Sequence, residues 1–168
     1  MRLFLITQSM PLVTVIIACY NHEKYIEQSI SSVLGQTYGN VELLVIDDGS
    51  TDGSVFVIKR LLTAHAFNFI EQANQGLSKT LNEAIRRAQG SLIAPFGSDD
   101  VMLPDRLRQQ VEYLLDKPSV GICAGDIQLI DSNGEIIAAS SGKRMVFRRL
   151  SFADIILDRV PFPPAASM

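Results

Sequence analysis

Four polar clusters interrupt the first hundred residues, each directly after an apolar run: Tyr20-Asn21, Asp47-Asp48, Asn74-Gln75-Gly76 and Ser98-Asp99-Asp100. Two of them hold adjacent carboxylates. Neighbouring carboxylates repel, and a fold that gathers two such pairs needs a divalent cation or several hydrogen-bond donors to offset the cost. Each cluster alone also has a plain reading. Asp47-Asp48-Gly49-Ser50 has the composition of a turn with a helix cap, Ser98-Asp99-Asp100 suits a solvated loop, and Asn74 with Gly76 suits a turn. Their repetition at the ends of successive strands carries the functional expectation.

The elements that must position these clusters alternate between strand and helix. Val13 to Cys19 is a β-branched run with the character of a strand buried on both faces. Ile26, Ile30, Val33 and Leu34 then mark one face of a helix, closed by Gly35 and Gly39. Val41 to Ile46 predicts a second strand, and Ser54 or Asp52 can cap a second helix with Val55, Ile58 and Leu62 on one face. Asn68 to Glu71 predicts a third strand. A third helix follows, with Leu77, Leu81, Ala84, Ile85 and Ala88 inward and Gly90 as its stop. Leu92 to Phe96 predicts a fourth strand, and Pro104 opens a helix with Leu107, Val111, Leu114 and Leu115 inward as far as Pro118. Val120 to Ala124 and Ile127 to Ile130 read as strands, with a turn at Asp131-Ser132-Asn133-Gly134. Residues 142–150 are basic, and 151–158 have a helical pattern. Three consecutive β-α units predict an α/β fold: a mostly parallel sheet with helices on both faces, its ligands at the carboxyl ends of the strands.

Composition narrows the function. With 168 residues, 47% apolar and 20% charged, the chain fits one globular domain. A formal charge of −3 argues against nucleic acid as a partner, since phosphate neutralisation needs clustered Lys and Arg. Two cysteines, Cys19 and Cys123, lie in apolar runs without metal-ligand spacing, which indicates reduced thiols and a cytoplasmic setting. The opening residues lack a signal h-region or a spanning helix. Met10 before Pro11 suggests that residues 1–10 are an extension and 11–168 the domain.

Several chemistries are excluded by missing motifs. There is no GxxxxGK[ST] loop, no GxGxxG after the first strand, no HExxH and no GxSxG. A phosphoacceptor signalling domain would carry its acidic pair after the first strand, whereas here it follows the second. His22 and His65 are isolated and read as surface histidines, and Lys79, Arg86 and Arg87 read as a solvated helix face. Arg144, Arg148 and Arg149 offer a weak basic patch for peripheral contact with an anionic membrane surface.

The residues resemble the family 2 glycosyltransferases, which use nucleotide-diphosphate sugars on a GT-A fold. The resemblance rests on Val13 to Asn21, on Tyr25 to Tyr38, on Glu42 to Asp52, on Asn74 to Ser78 with Asn82 and Gly90, and on Gly97-Ser98-Asp99-Asp100 in place of the DxD element. It implies an inverting, metal-dependent transfer from a UDP-sugar to a hydroxyl of a glycan or lipid-linked acceptor. It also implies a donor site drawn from Ala18, Tyr20, Asn21, Glu23, Asp47, Asp48, Asn74, Gly76, Lys79, Ser98 and Asp99. Within that site Ala18, Tyr20 and Glu23 would line the base and ribose pocket. Asp47 would accept from the base imide while Asp48 holds the turn. Asp99, with Asp100 as second ligand or helix cap, would hold Mg²⁺ or Mn²⁺.

Two departures stand out. Gly97 occupies a place where the family commonly has Asp, and Leu81 one where many members carry Arg. The family's general base lies well downstream of the metal element, so the resemblance places it beyond Met168 and implies a donor-binding part of a longer domain. A second expectation is therefore a non-catalytic nucleotide-binding or interaction module derived from such an enzyme.

Overall fold

In a computed structural model of the chain, residues 10–138 are described. The first half follows the expected alternation: β1 (Val13–Cys19), α1 (Ile26–Leu34), β2 (Val41–Asp48), α2 (Ser54–Leu62), β3 (Asn68–Gln72), α3 (Leu77–Arg87), β4 (Leu92–Gly97) and α4 (Arg106–Asp116). A short antiparallel hairpin, β5 (Leu129–Ile130) and β6 (Ile136–Ala138), turns at Asp131 to Gly134.

The main sheet has the order β3-β2-β1-β4, and every pairing in it is parallel. Register fixes the site. Cys19 pairs with Asp47, Ala18 with Gly97 and Asp48 with Gln72, so all four strands finish along one edge. Pro95 lies in β4, at the border of this sheet, where a missing N–H is tolerated.

Strand parity sorts the core into two faces. Val13, Val15, Ile17 and Cys19 point to one side with Val45, Phe96, Ile26, Ile30, Ile58, Leu107 and Val111, so α1, α2 and α4 cover that face. Ile16, Leu44, Ile46 and Ala84 form the other, covered by α3. The right-handed return from β3 across β2 and β1 to β4 accounts for α3 lying opposite its predecessors.

Several expectations need correction. On α3 only Thr80 and Ala84 are fully buried, and Leu77 and Ile85 are 62% and 45% exposed. The helix rests on its sheet face alone, so a narrow stripe is covered. Gly90 is not the helix stop, because α3 ends at Arg87 and Ala88 is already extended (φ −59, ψ 136). Its role is close packing: a Cβ there would lie 2.6 Å from Thr14 N. The buried face of α2 runs through Ser54, Ile58 and Leu61, rotated from the Val55 and Leu62 of the expected one. Pro104 precedes α4 by two positions, and Leu115 is exposed while Gln110 is buried. Val120–Ala124 is no strand, so Cys123 lies outside the sheets, and the Ile127–Ile130 strand shrinks to Leu129–Ile130. Residues 1–9 of the expected 1–10 extension, the basic stretch 142–150 and the helical pattern of 151–158 lie outside the described residues.

Candidate active site at the carboxyl edge

A cavity of about 150 Å³ opens at the ends of β1 and β2, lined by Ala18, Cys19, Tyr20, Asp48, Asn74, Gly76 and Leu77. Tyr20 is half exposed beside it, an aromatic face on which a planar base can stack. Five of the expected donor residues, Ala18, Tyr20, Asp48, Asn74 and Gly76, thus meet at one place. Lys79 does not join them and projects from α3 as an exposed side chain.

The two aspartates ending β2 have distinct surroundings. Asp47 is fully buried and accepts from Ser50, at 2.9 Å from its N–H and 2.5 Å from its hydroxyl. Asp48 faces the cavity, where Oδ1 accepts from Gln72 Nε2 (2.8 Å) and Gln75 N (3.0 Å), and Oδ2 accepts from Gly76 N (2.9 Å). Burial pushes the Asp48 carboxyl up, but bonds from Gln72, Gln75, Thr80 and Gly76 outweigh it and hold the carboxyl below its ordinary value. The assignment by resemblance is therefore reversed in this geometry: Asp47 holds the turn and Asp48 borders the pocket. Gly49 makes the turn possible, with φ +77 and Asn74 N so close that a Cβ would lie 2.6 Å away.

The loop after β1 is stitched to this turn. Asn21 adopts φ 55, its N–H bonds Ser50 Oγ at 2.9 Å, and its Oδ1 accepts Thr51 N at 2.8 Å. Glu23 accepts Gly53 N at 2.7 Å, while its own N–H donates to Asp52 at 3.1 Å. Asp52 Oδ1 also takes the N–H and hydroxyl of Ser54, the first residue of α2, while Gly53 occupies the N-cap position. Asn21 and Glu23 accordingly brace the loop that presents Tyr20.

Across β1 lies the second acidic pair. Asp99 is exposed and Asp100 half-buried. Burial and then the neighbouring Asp99 charge push the Asp100 carboxyl up, partly opposed by Arg106. Both side chains turn over Gly97: a Cβ at that position would overlap Asp100 Oδ2 and lie 3.1 Å from Asp99 Oδ1. The missing side chain of residue 97 thus leaves a cradle into which both carboxylates fold. Among the described residues no three His, Cys, Asp or Glu groups form a metal cage. Two adjacent carboxylates are hard oxygen donors of the kind Mg²⁺ and Mn²⁺ take, and would supply part of such an ion's coordination.

Sequence reasoning missed what holds this acidic loop. Three polar side chains on one face of α1 and its extension grip it: Ser29 Oγ donates to Gly97 O (2.9 Å), Ser32 Oγ accepts Met102 N (2.9 Å), and Gln36 bonds Leu103 O (2.7 Å) and Leu107 N (3.1 Å). Their i, i+3, i+7 spacing beside the apolar stripe was the available signal. His22, read as a surface histidine, places Nδ1 2.7 Å from Ser98 Oγ, and Ser98 is itself buried.

A parallel sheet whose carboxyl edge gathers a cavity and two pairs of carboxylates has the layout of an open α/β domain with its ligand site at the strand ends. The model of glycosyl transferase family 2 matches residues 14–160, and the chain belongs to that family. A glycosyltransferase of Escherichia coli, the UDP-Glc:alpha-D-GlcNAc-diphosphoundecaprenol beta-1,3-glucosyltransferase WfgD, is 30% identical over 159 residues, covering 91% of this chain and 62% of that protein. An uncharacterized glycosyltransferase of Haemophilus influenzae is 38% identical over 109 residues, 64% of this chain and 44% of the relative. The chain therefore spans less than two thirds of these relatives. Among solved structures, the mannosyltransferase PcManGT from Pyrobaculum calidifontis, in complex with GDP-Man and Mn²⁺, superposes with a TM-score of 0.63 at 30% identity, over 68% of this chain and 35% of that one. TarS 1–349 of S. aureus in complex with UDP-GlcNAc gives 0.60 at 25% identity, over 66% and 33%. The fold is of the GT-A type, as these neighbours share it.

Proposed function

We propose that this chain is the donor-binding part of an inverting glycosyltransferase that takes a UDP-sugar with Mg²⁺ or Mn²⁺. The observation that carries the reading is the pairing of a cavity bordered by Tyr20 and Asp48 with two carboxylates folded over Gly97, on adjoining strands. Tyr20 and Leu77 sandwich the base, and the Asp48 edge, with Asn74 and Gly76, reads its polar rim. Asp99 and Asp100 face the diphosphate. They would hold a divalent ion, whose charge would offset that developing on the departing diphosphate. Asp47, Asn21, Glu23 and Ser98 act by fixing loops, and Lys79 lies at the exposed margin.

The choice of UDP over GDP rests on the relative WfgD, whose name gives UDP-Glc as its donor. Structural neighbours bind both kinds: GDP-Man in PcManGT and UDP-GlcNAc in TarS. In the transfer, an acceptor hydroxyl attacks the anomeric carbon opposite the leaving diphosphate while a carboxylate base takes its proton. A glycan or lipid-linked acceptor agrees with the acceptor named for WfgD. No helix among the described residues is long and apolar enough to cross a membrane. Peripheral contact with the cytoplasmic membrane face rests on Arg144, Arg148 and Arg149, outside the described residues.

Calorimetric titration of UDP and GDP, each with Mn²⁺ and with a chelator, tests this reading. Tighter binding of UDP than GDP, enhanced by Mn²⁺, is expected. Nucleotide binding that is absent under every condition would refute it. UDP binding without transfer to any acceptor in a longer chain would favour the non-catalytic module.

A further inference from the structure

We propose that His22 is a positioning residue that couples the nucleotide-binding loop after β1 to the acidic loop after β4. The inference rests on the donor-site reading above and adds a residue that the reading does not use.

The backbone of His22 is fixed from several directions. Its N–H donates to Ser54 Oγ at 3.0 Å, and its carbonyl accepts from Tyr25 N (3.0 Å) and Ile26 N (2.9 Å), where α1 begins. Its ring stands edge-to-face against Tyr25, with centroids 6.1 Å apart and planes at 83°. So restrained, the imidazole has little freedom in where Nδ1 can point, and it meets Ser98 Oγ at 2.7 Å. Ser98 is 3% exposed, so this bond is shielded from competing water.

The position in the chain gives that bond its consequence. Tyr20, which borders the cavity, lies two residues before His22, and Asp99 directly follows Ser98. Ser29 holds Gly97 O at 2.9 Å, so consecutive residues of the acidic loop are gripped from the β1–α1 side. A nucleotide diphosphate must reach from the cavity to the carboxylates, touching both loops at once. A bridge that fixes their spacing before binding removes an ordering cost that would otherwise weaken the ligand held by both. The bridge should therefore affect how strongly metal and nucleotide reinforce each other, and leave metal-free nucleotide binding largely alone.

The test is calorimetry of UDP with and without Mn²⁺ on the full 168-residue chain, comparing wild type with His22→Ala, Ser98→Ala and His22→Asn. We expect the enhancement of UDP affinity by Mn²⁺ to fall about tenfold in His22→Ala and in Ser98→Ala, the size of one lost buried hydrogen bond. Asn places an amide near the Nδ1 position, so His22→Asn should recover most of the enhancement. Metal-free UDP affinity should stay within about twofold in His22→Ala and His22→Asn, which also verifies folding. Ser98→Ala removes only one oxygen and repeats the test if His22→Ala folds poorly. Full enhancement in His22→Ala or Ser98→Ala would overturn the proposal while leaving the donor site standing. A wild type with no Mn²⁺ enhancement would instead overturn the donor-site reading, and the coupling with it.

Discussion

Asp47-Asp48, ending β2, and Asp99-Asp100, in the loop after β4, are the same dipeptide at one edge of the sheet, and the fold treats them in opposite ways. At the end of β2 protein donors serve both carboxylates: Ser50 bonds Asp47, and Gln72, Gln75 and Gly76 bond Asp48. The Asp48 carboxyl falls below its ordinary value as a result. After β4 the pair is left to crowd over Gly97, and the Asp100 carboxyl rises with burial and the Asp99 charge. One pair is tied into the scaffold, with an edge of Asp48 left to border the cavity. The other sets two carboxylates side by side with Arg106 as a partial counter-charge, and under the proposed function a cation would relieve their repulsion.

The largest effect expected from this contrast is at Asp99. Asp99→Ala should weaken Mn²⁺-supported UDP binding on the order of 100-fold, as loss of a direct metal ligand does at least what loss of an outer partner does. Calorimetry reads it, and thermal melting of the unliganded chain should hardly change because Asp99 is exposed. A scaffold carboxylate behaves differently. Asp48→Asn turns an amide toward the N–H of Gly76 or Gln75 and should cost about 1 kcal/mol of stability in denaturant titration, because a part-buried donor loses its acceptor.

Acidity separates the pairs by sign. Asp48 is depressed in the folded chain, so its contribution is present above the unfolded value of about 3.9 and is lost as pH falls through the lower folded value. Asp100 is raised, so its ionisation costs stability, and that cost appears as pH climbs from about 3.9 through the higher folded value. Melting curves against pH should therefore show Asp48→Asn losing stability at neutral pH and flattening the acid limb. Asp100→Asn should gain stability at neutral pH. Equal signs for the two would break the comparison.

Gly97→Ala should give the smallest effect. The added methyl meets the flexible end of Asp100, which can swing aside, so stability should drop by about 1 kcal/mol or less. Mn²⁺-supported binding should nonetheless fall severalfold, since the cradle that brings the two carboxylates together is filled.

Much of this was legible in residue order. The runs Val13–Cys19 and Val41–Ile46, followed by helical periodicity, carry the parallel sheet, and an edge shared by four polar clusters follows from it. The division of roles between Asp47 and Asp48 was not legible, because adjacent strand residues face opposite ways and sequence does not say which way the pocket lies. Leu77 and Ile85 misled for a related reason: periodicity counts apolar residues on α3, but not the width of sheet available to cover them. His22 escaped notice because its partner stands 76 residues away, and no local spacing records such a contact.

The account is tested most directly by UDP affinity measured with and without Mn²⁺ in wild type, Asp48→Asn and Asp99→Ala. It predicts that Mn²⁺ strengthens UDP binding in wild type and has little effect in Asp99→Ala, while Asp48→Asn weakens UDP whether or not metal is present. Equal UDP affinity with and without Mn²⁺ in the wild-type chain would contradict it.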